Sequence, residues 1–137
     1  MNDNYMKFSG IVTKHLGRGT KLGFPTANIP APKEIADATY LAWVLIAPSP
    51  GATHHPPPKG EGNPSIVFVG APQTFDETDR RAEAYLLDFS GDLYGQEISI
   101  EIIKKLRDNK KFESEQALIE QMKLDEQLAR EFFKSYN

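Results

Sequence analysis

The sequence predicts a mainly β domain, in which an antiparallel sheet closes into a small barrel and a helical segment packs against it. Apolar or alternating segments of strand length recur through most of the chain. They are joined by turns and by stretches rich in proline and glycine, without the helical crossovers that parallel strands require. An amphipathic helical pattern occurs only near the C-terminal end. Together these patterns indicate roughly six strands followed by a helix.

The segments predicted as strands are 5–14, 40–47, 65–70, 81–89 and 97–106. In the last of these, Ile98, Ile100 and Ile102 alternate with polar residues, which is typical of a half-buried strand. The apolar run YLAWVLIA at 40–47 predicts a core strand, with Trp43 in the core. Gly10, in the middle of the first strand, indicates a bulge or a close approach of another backbone.

Two longer connections are predicted between strands. Residues 30–38 are rich in turn formers, and residues 48–64 are so rich in proline and glycine that we expect an exposed hairpin loop, neither helix nor central strand. His54 and His55 are adjacent in this loop, so their side chains diverge in an extended backbone. No cysteine or carboxylate cluster accompanies them, which favours a solvated loop over a metal site.

The C-terminal segment is predicted to be one helix or two short ones that end near Phe133. Ser114 is a suitable N-cap, and Glu115 places an acid in the first turn. Asp125 is a possible start for a second segment. The predicted apolar face is core packing, and its residues are Leu118, Ile119, Met122, Leu124, Leu128 and Phe132.

Composition limits the function classes. At 137 residues, 1–137 is expected to form a single domain. The absence of cysteine excludes disulfides, thiolate zinc sites and a cysteine nucleophile. A net charge of −3 gives no general attraction to nucleic acid, and no apolar run suits a signal peptide or a membrane span. We therefore expect a cytoplasmic protein with no membrane or nucleic-acid partner.

Residues 17–29, GRGTKLGFPTANI, combine features of a phosphate site and a metal site. Gly17 and Gly19 allow backbone N–H groups to approach a ligand, and Lys21 complements a phosphate. Thr26 and Asn28 offer the oxygen ligands that Mg²⁺ prefers. The spacing is neither a P-loop nor a dinucleotide fingerprint, and the following prolines exclude a helix. A glycine-rich surface turn with a solvated lysine remains the alternative.

Glu83 is the candidate general base. It shares a strand face with Tyr85, Leu87 and Phe89, and a carboxylate in apolar surroundings holds a proton more tightly. That property suits a base within reach of a substrate proton. The alternative is a solvated glutamate, or one paired with Arg81.

These motifs, taken in order, resemble the riboflavin kinase family. The resemblance covers about residues 8–132. It rests on the glycine-rich loop, LGFPTANI at 22–29, Thr74-Phe75, AEAYLLDFSGDLYGQ at 82–96, and the Leu, Arg, Lys-Phe-Glu-Ser, Gln and Asp positions at 106–125. The PTAN tetrapeptide after the glycine loop is the most specific of these motifs.

The resemblance implies a six-stranded antiparallel Greek-key barrel with a C-terminal α-helix. It implies transfer of the ATP γ-phosphoryl group to the 5′-hydroxyl of riboflavin, giving FMN and ADP. Thr26 and Asn28 would bind Mg²⁺ together with nucleotide phosphates. Lys21 and the loop around Gly17 and Gly19 would hold ATP.

By the same resemblance, Glu83 would accept the ribityl hydroxyl proton, and Arg107 would belong to a mobile loop that closes over the flavin. The chain departs from the family pattern at His15, where glycine is common, and at Gln73, where proline is usual. The proposed base and magnesium ligands are all present. We expect an active monomeric enzyme; the alternative is a barrel that binds flavin or nucleotide without turnover.

Overall fold

The computed structural model describes residues 6–13, 26–47, 62–70, 80–87 and 93–135. Within them the chain forms six strands and then one helix, α1, at Glu115–Lys134. The strands are β1 Lys7–Ile11, β2 Thr26–Pro30, β3 Ala38–Ile46, β4 Asn63–Gly70, β5 Arg81–Leu86 and β6 Glu97–Arg107. No described helix is long and apolar enough to cross a membrane.

The six strands form one antiparallel sheet in the order β1-β6-β3-β4-β5-β2. Strands β3, β4 and β5 are consecutive neighbours, and β6 returns to lie beside β3, which is Greek-key order. The two edges of the sheet approach each other, because the Thr13 N–H donates to the Asn28 carbonyl at 3.0 Å. The sheet is therefore a nearly closed barrel, and the predicted fold class is confirmed.

Gly10 shows how closely the barrel edges approach. A Cβ built on Gly10 would lie 3.1 Å from the Ile29 Cβ, tighter than ordinary van der Waals contact. The predicted close approach in the first strand is therefore confirmed, and the neighbour is β2. A larger residue here would push the two edges apart.

Strand β2 was not predicted from the sequence, because prolines lie at both of its ends. Edge strands tolerate proline, since one side of their backbone needs no ladder partner. In this barrel β2 forms its ladder with β5, and Pro30 is its last residue. The prediction that residues 48–64 contain no part of a central strand was wrong for the last residues of that range. Pro64 is the second residue of β4, which lies between β3 and β5.

Successive residues along the strands alternate between two apolar clusters. One fills the barrel and includes Ala27, Ile29, Val67, Ala84 and Ile100. The other lies on the outer face beneath α1, and it contains Leu41, Ile66, Tyr85, Leu87 and Ala129, with Phe68, Leu106, Phe132 and Phe133 packed against it. Alternate residues of these strands therefore face either the barrel interior or the outer surface. This alternation fixes the face on which their polar side chains lie.

The turn before β3 is held by side chains that bond its backbone. Arg80 donates to the carbonyls of Pro32 and Ile35 at 3.1 and 2.6 Å. The Tyr40 hydroxyl donates to the Ala36 carbonyl at 2.7 Å. Burial raises the pKa of the Tyr40 hydroxyl, so this donor keeps its proton across the physiological range. These bonds fix the point at which β3 enters the sheet.

Helix α1 is a single helix, and its buried face differs from the predicted one. The Ser114 Oγ accepts from the Ala117 N–H at 3.1 Å, which confirms the N-cap. Leu124 and Leu128 are exposed, at 49% and 44%, so their predicted place on the apolar face was wrong. The buried positions are Met122, Asp125 and Ala129, which follow helical spacing. Trp43 is half-buried outside the barrel, with its ring 4.9 Å from that of Phe133.

Asp125 is fully buried in the middle of α1 and ties the helix to the sheet. Its carboxylate accepts from Arg107 Nε and Nη2 at 2.9 and 2.8 Å, a bidentate ion pair. Gln121, one turn earlier, donates to the same carboxylate at 2.9 Å. Because both carboxylate oxygens accept hydrogen bonds, two of them from a cation, the burial of this charge is tolerated.

Replacing Asp125 by alanine is expected to destabilise the fold strongly, because it leaves the Arg107 guanidinium without its buried partner. Removing one member of a buried pair costs about 3–5 kcal/mol. Glu126→Ala is the matched control, since the Glu126–Arg130 pair is on the surface and such pairs contribute about 0–1 kcal/mol. Urea unfolding of both variants measures the difference. Equal losses of unfolding free energy would contradict a stabilising role for the Arg107–Asp125 ion pair.

Candidate active site

The pairing of β2 with β5 brings the predicted metal ligands and the predicted base together. Asn28 lies directly opposite Glu83, and Thr26 lies opposite Tyr85. The Thr26 hydroxyl donates to Glu83 Oε2 at 3.0 Å. Ala27 and Ile29 point into the barrel core, so Thr26 and Asn28 point outward. Thr26 and Glu83 are 57 positions apart in the sequence, and together with Asn28 they form one polar cluster.

The register continues this cluster across the sheet. Glu83 is opposite Phe68 on β4, Phe68 is opposite Thr39 on β3, and Thr39 is opposite Arg107 on β6. Directly paired residues of antiparallel strands point to the same face. We call the five outward residues Asn28, Glu83, Phe68, Thr39 and Arg107 the cross-strand row.

The cross-strand row has a fixed length. Neighbouring strands lie about 4.8 Å apart, so the backbones at Glu83 and Arg107 are separated by roughly 14 Å along the curved sheet. Phe68 and Thr39 occupy the interval between them. A flat or extended ligand of small-molecule size spans such an interval. The row therefore carries the Glu83 carboxylate next to Asn28 at one end and the Arg107 guanidinium at the other, with the Phe68 ring between the two charges.

Arg107 is the last residue of β6, whereas the family resemblance placed it in a mobile loop. Its guanidinium carbon lies 6.0 Å from the centre of the Phe68 ring, within cation–π range. The Arg107 side chain is 18% exposed, and Asp125 fixes its orientation from the helix side. A ligand that contacts Arg107 would therefore meet a preoriented cation.

An open groove of about 490 Å³ lies between residues 110–114 and the first turns of α1. Its lining includes Lys110, Phe112, Gln121 and Leu124. The Lys110 ammonium donates to Gln121 Oε1 at 3.3 Å and lies 5.8 Å from the centre of the Phe112 ring. The volume of the groove is within the usual range for small-molecule sites. Gln121 also bonds Asp125, so the groove adjoins the ion pair of Arg107.

The predicted nucleotide-binding residues Gly17, Gly19 and Lys21 lie outside the described residues, as do His15 and Gln73. The described residues on either side of the glycine-rich loop are Thr13 and Thr26. Thr13 bonds Asn28, so the chain leaves for this loop beside the strand by which it returns. Among the described residues no cluster of three or more His, Cys, Asp or Glu is placed to hold a metal ion.

Three residues that shape this face were given no such role from the sequence: Phe68 and Thr39 had none, and Asp125 was only a possible helix start. The alternation of SIVFVG was a usable signal for Phe68, because Val67 and Val69 are the core positions. Asp125 falls on the spacing of Met122 and Ala129, and a charge on an apolar stripe signals a buried partner. Thr39 had no local signal, since its neighbours come from β4 and β6.

Comparison with known proteins places this geometry in a family. The family model described as Flavokinase: Riboflavin kinase matches residues 2–133. The chain is 34% identical over 129 residues to the Trifunctional protein RibF/MnmA of Mycoplasmoides gallisepticum, covering 94% of this chain and 18% of that protein. It is 31% identical over 140 residues to the Riboflavin kinase of Pyricularia oryzae, covering 90% and 68%.

A solved structure, the riboflavin kinase from Trypanosoma brucei, has the same fold. It superposes with a TM-score of 0.66 at 23% identity, over 98% of this chain and 84% of that one. The chain spans less than a fifth of the trifunctional relative, at 18%, and about two thirds of the fungal one, at 68%. The match to the family model over residues 2–133 establishes that the chain belongs to the riboflavin kinase (flavokinase) family.

Proposed function

We propose that this chain is a riboflavin kinase, which transfers the γ-phosphoryl group of ATP to the 5′-hydroxyl of riboflavin to give FMN and ADP. The observation that carries the proposal is the cluster of Thr26, Asn28 and Glu83 in a member of this family. A carboxylate and two neutral oxygen ligands on adjacent strands suit phosphoryl transfer, which depends on positioning and charge neutralisation.

Glu83 is proposed as the general base. Its carboxylate would take the proton of the ribityl 5′-hydroxyl as that oxygen forms a bond to the γ-phosphorus and ADP departs. The Thr26 hydroxyl donates to Glu83 Oε2, which limits rotation of the carboxylate. A base held in one orientation loses less freedom when the substrate arrives.

Thr26 and Asn28 are proposed as the protein ligands of a Mg²⁺ ion that also binds nucleotide phosphates. The donor chemistry fits, because both offer neutral oxygens and a hydroxyl that donates to Glu83 still has lone pairs. Mg²⁺ keeps several waters and takes phosphate oxygens, so two protein oxygens suffice. When bound, the ion neutralises charge on the transferring phosphoryl group.

The nucleotide is proposed to bind through Gly17, Gly19 and Lys21. The support is positional, since the flanking residue Thr13 bonds the carbonyl of Asn28. Thr13, the last described residue before this loop, and Thr26, the first after it, therefore lie at the barrel edge that carries the proposed metal ligands. Backbone N–H groups of glycines and one lysine are a common way to hold phosphates.

Riboflavin is proposed to lie along the cross-strand row, with its ribityl end at Glu83 and its ring system toward Arg107. The groove between residues 110–114 and α1 has room for the ring, at about 490 Å³. Phe112 and Leu124 give it apolar surface, while Lys110 and Gln121 offer polar contacts. We further propose that the enzyme acts as a cytoplasmic monomer without nucleic acid.

The activity test is incubation of the full chain with riboflavin, ATP and Mg²⁺, followed by chromatographic separation of the flavins. The proposal predicts FMN and an equal amount of ADP. Flavin binding without FMN would favour the alternative of a binding module. Absence of both turnover and binding would overturn both functions.

Glu83→Gln is expected to lower kcat by roughly 10²–10⁴-fold, the usual contribution of a general base. The KM for riboflavin should change little, because Gln keeps the shape and an acceptor for Thr26. Glu97→Gln is the matched control, since Glu97 is exposed at the start of β6. Circular dichroism confirms that each variant is folded. A kcat like that of the unmodified chain would exclude Glu83 as the base.

Thr26→Val is expected to raise the Mg²⁺ concentration for half-maximal rate by about tenfold, which corresponds to about 1.4 kcal/mol, because it removes one of the two proposed protein ligands of the ion. Thr26→Ser should restore most of the metal affinity, because it returns the hydroxyl. Thr13→Val is the control, since Thr13 meets this site through its backbone N–H. Rate measurements across a Mg²⁺ titration distinguish the variants. An unchanged Mg²⁺ dependence in Thr26→Val would remove Thr26 from the metal site.

A further inference from the structure

Asn109 is an exposed residue whose side-chain amide is nevertheless bonded to the sheet through both of its functional groups. Its Oδ1 accepts from the Thr39 hydroxyl at 2.9 Å, and its Nδ2 donates to the Val69 carbonyl at 2.9 Å. Thr39 is completely buried. A surface side chain is therefore inserted between the ends of β3 and β4.

This insertion occurs in the middle of the cross-strand row. Thr39 lies between Phe68 and Arg107 in the row, so Asn109 is bonded to the interval between the proposed base and the proposed flavin contact. The amide packs against the end of β4, because a Cβ added at Gly70 would lie 3.4 Å from Asn109 Nδ2, at about van der Waals distance.

Residues 107–110 are held from two sides. Arg107 is bonded to Asp125 of α1, and Lys110 is bonded to Gln121 of α1. Asn109 supplies a tie to the sheet between these two contacts with the helix. Residues 110–114, which follow directly, form one wall of the groove.

We propose that Asn109 is a positioning residue, a latch that holds residues 108–114 in the conformation that forms the riboflavin groove. The inference rests on the proposed function. Because the latch is made of two hydrogen bonds near solvent, it can open, and only the closed state would present the groove wall. The apparent affinity for riboflavin then falls in proportion to the closed fraction.

The chemistry of the site favours asparagine over its charged isostere. Aspartate would still accept from Thr39, but it would place a carboxylate oxygen against the Val69 carbonyl, where the amide donates. Two acceptors at that distance repel. Asn109→Asp therefore keeps the bond to Thr39 but replaces the bond to Val69 with a repulsion, while Asn109→Ala removes both bonds.

Steady-state kinetics of the full chain test the latch. Asn109→Ala is expected to raise the KM for riboflavin about tenfold, the effect of one or two such bonds, with kcat within twofold and the KM for ATP unchanged. Asn109→Asp should show a similar or larger shift. Asn63→Ala is the control, because Asn63 also donates from its amide to a strand carbonyl, that of Val44, at the far end of β4. It should leave the KM for riboflavin unchanged.

A double-mutant cycle with Thr39→Val tests the specific contact. Thr39→Val alone should raise the KM for riboflavin, and it should add little to Asn109→Ala if the two residues act through one bond. Independent and additive effects would contradict the latch. An unchanged KM in Asn109→Ala, or a fall in kcat alone, would overturn the proposal.

Hydrogen exchange of the ligand-free chain separates this proposal from the proposed function. Backbone amides of 108–113 should exchange faster in Asn109→Ala than in Asn63→Ala, with no need for turnover. Absence of kinase activity in the unmodified chain would overturn the proposed function while this readout still tested the latch. Equal exchange in the two variants would overturn the latch.

Discussion

Strand β5 pairs with β2 on one side and β4 on the other, and the face of the barrel depends on the register of these two ladders. Asn28 and Phe68 both lie opposite Glu83 because Ala82, Ala84 and Leu86 are required inside the barrel. A slip by one residue would reverse every side chain of β5, burying Glu83 and exposing the alanines. The apolar core therefore enforces the polar cluster. The chemistry of the site and the stability of the fold are set by the same pairing.

The opposite end of the row depends on the helix. Helix α1 covers an apolar patch on the outer sheet, and Asp125 adds a buried ion pair that fixes Arg107. Packing alone would allow α1 to slide along its contact surface, whereas a bidentate bond has one satisfactory geometry. Asn109 and Lys110 then bind the intervening segment to sheet and helix. The groove is thus formed by tertiary contacts of the sheet, of α1 and of the segment between them.

Local sequence predicted some parts of this arrangement well. The alternation in β6 and the N-cap at Ser114 are short-range effects, and both are confirmed. Thr26 and Asn28 were chosen as candidate metal ligands for their oxygen chemistry, although β2 itself was missed because prolines at a barrel edge look like a loop. The proximity of Thr26 to Glu83 required the β2–β5 pairing, which no local pattern specifies. Arg107 joins the row through a β3–β6 ladder with two register shifts, so counting along the strands could not have placed it. Leu124 and Leu128 were predicted to be buried because leucines at helical spacing usually face the core. In the structure both are exposed, and α1 buries Asp125 instead.

The central claim is that one row across the outer face binds riboflavin from its reactive hydroxyl to its ring. The most direct measurement is a crystal structure of the full chain with riboflavin, Mg²⁺ and a non-hydrolysable ATP analogue. The account predicts the ribityl 5′-oxygen within about 3 Å of the Glu83 carboxylate. It also predicts the cation on the oxygens of Thr26 and Asn28, and the flavin ring toward Arg107. A flavin whose 5′-oxygen lies away from Glu83, or a cation bound by other residues, would contradict it.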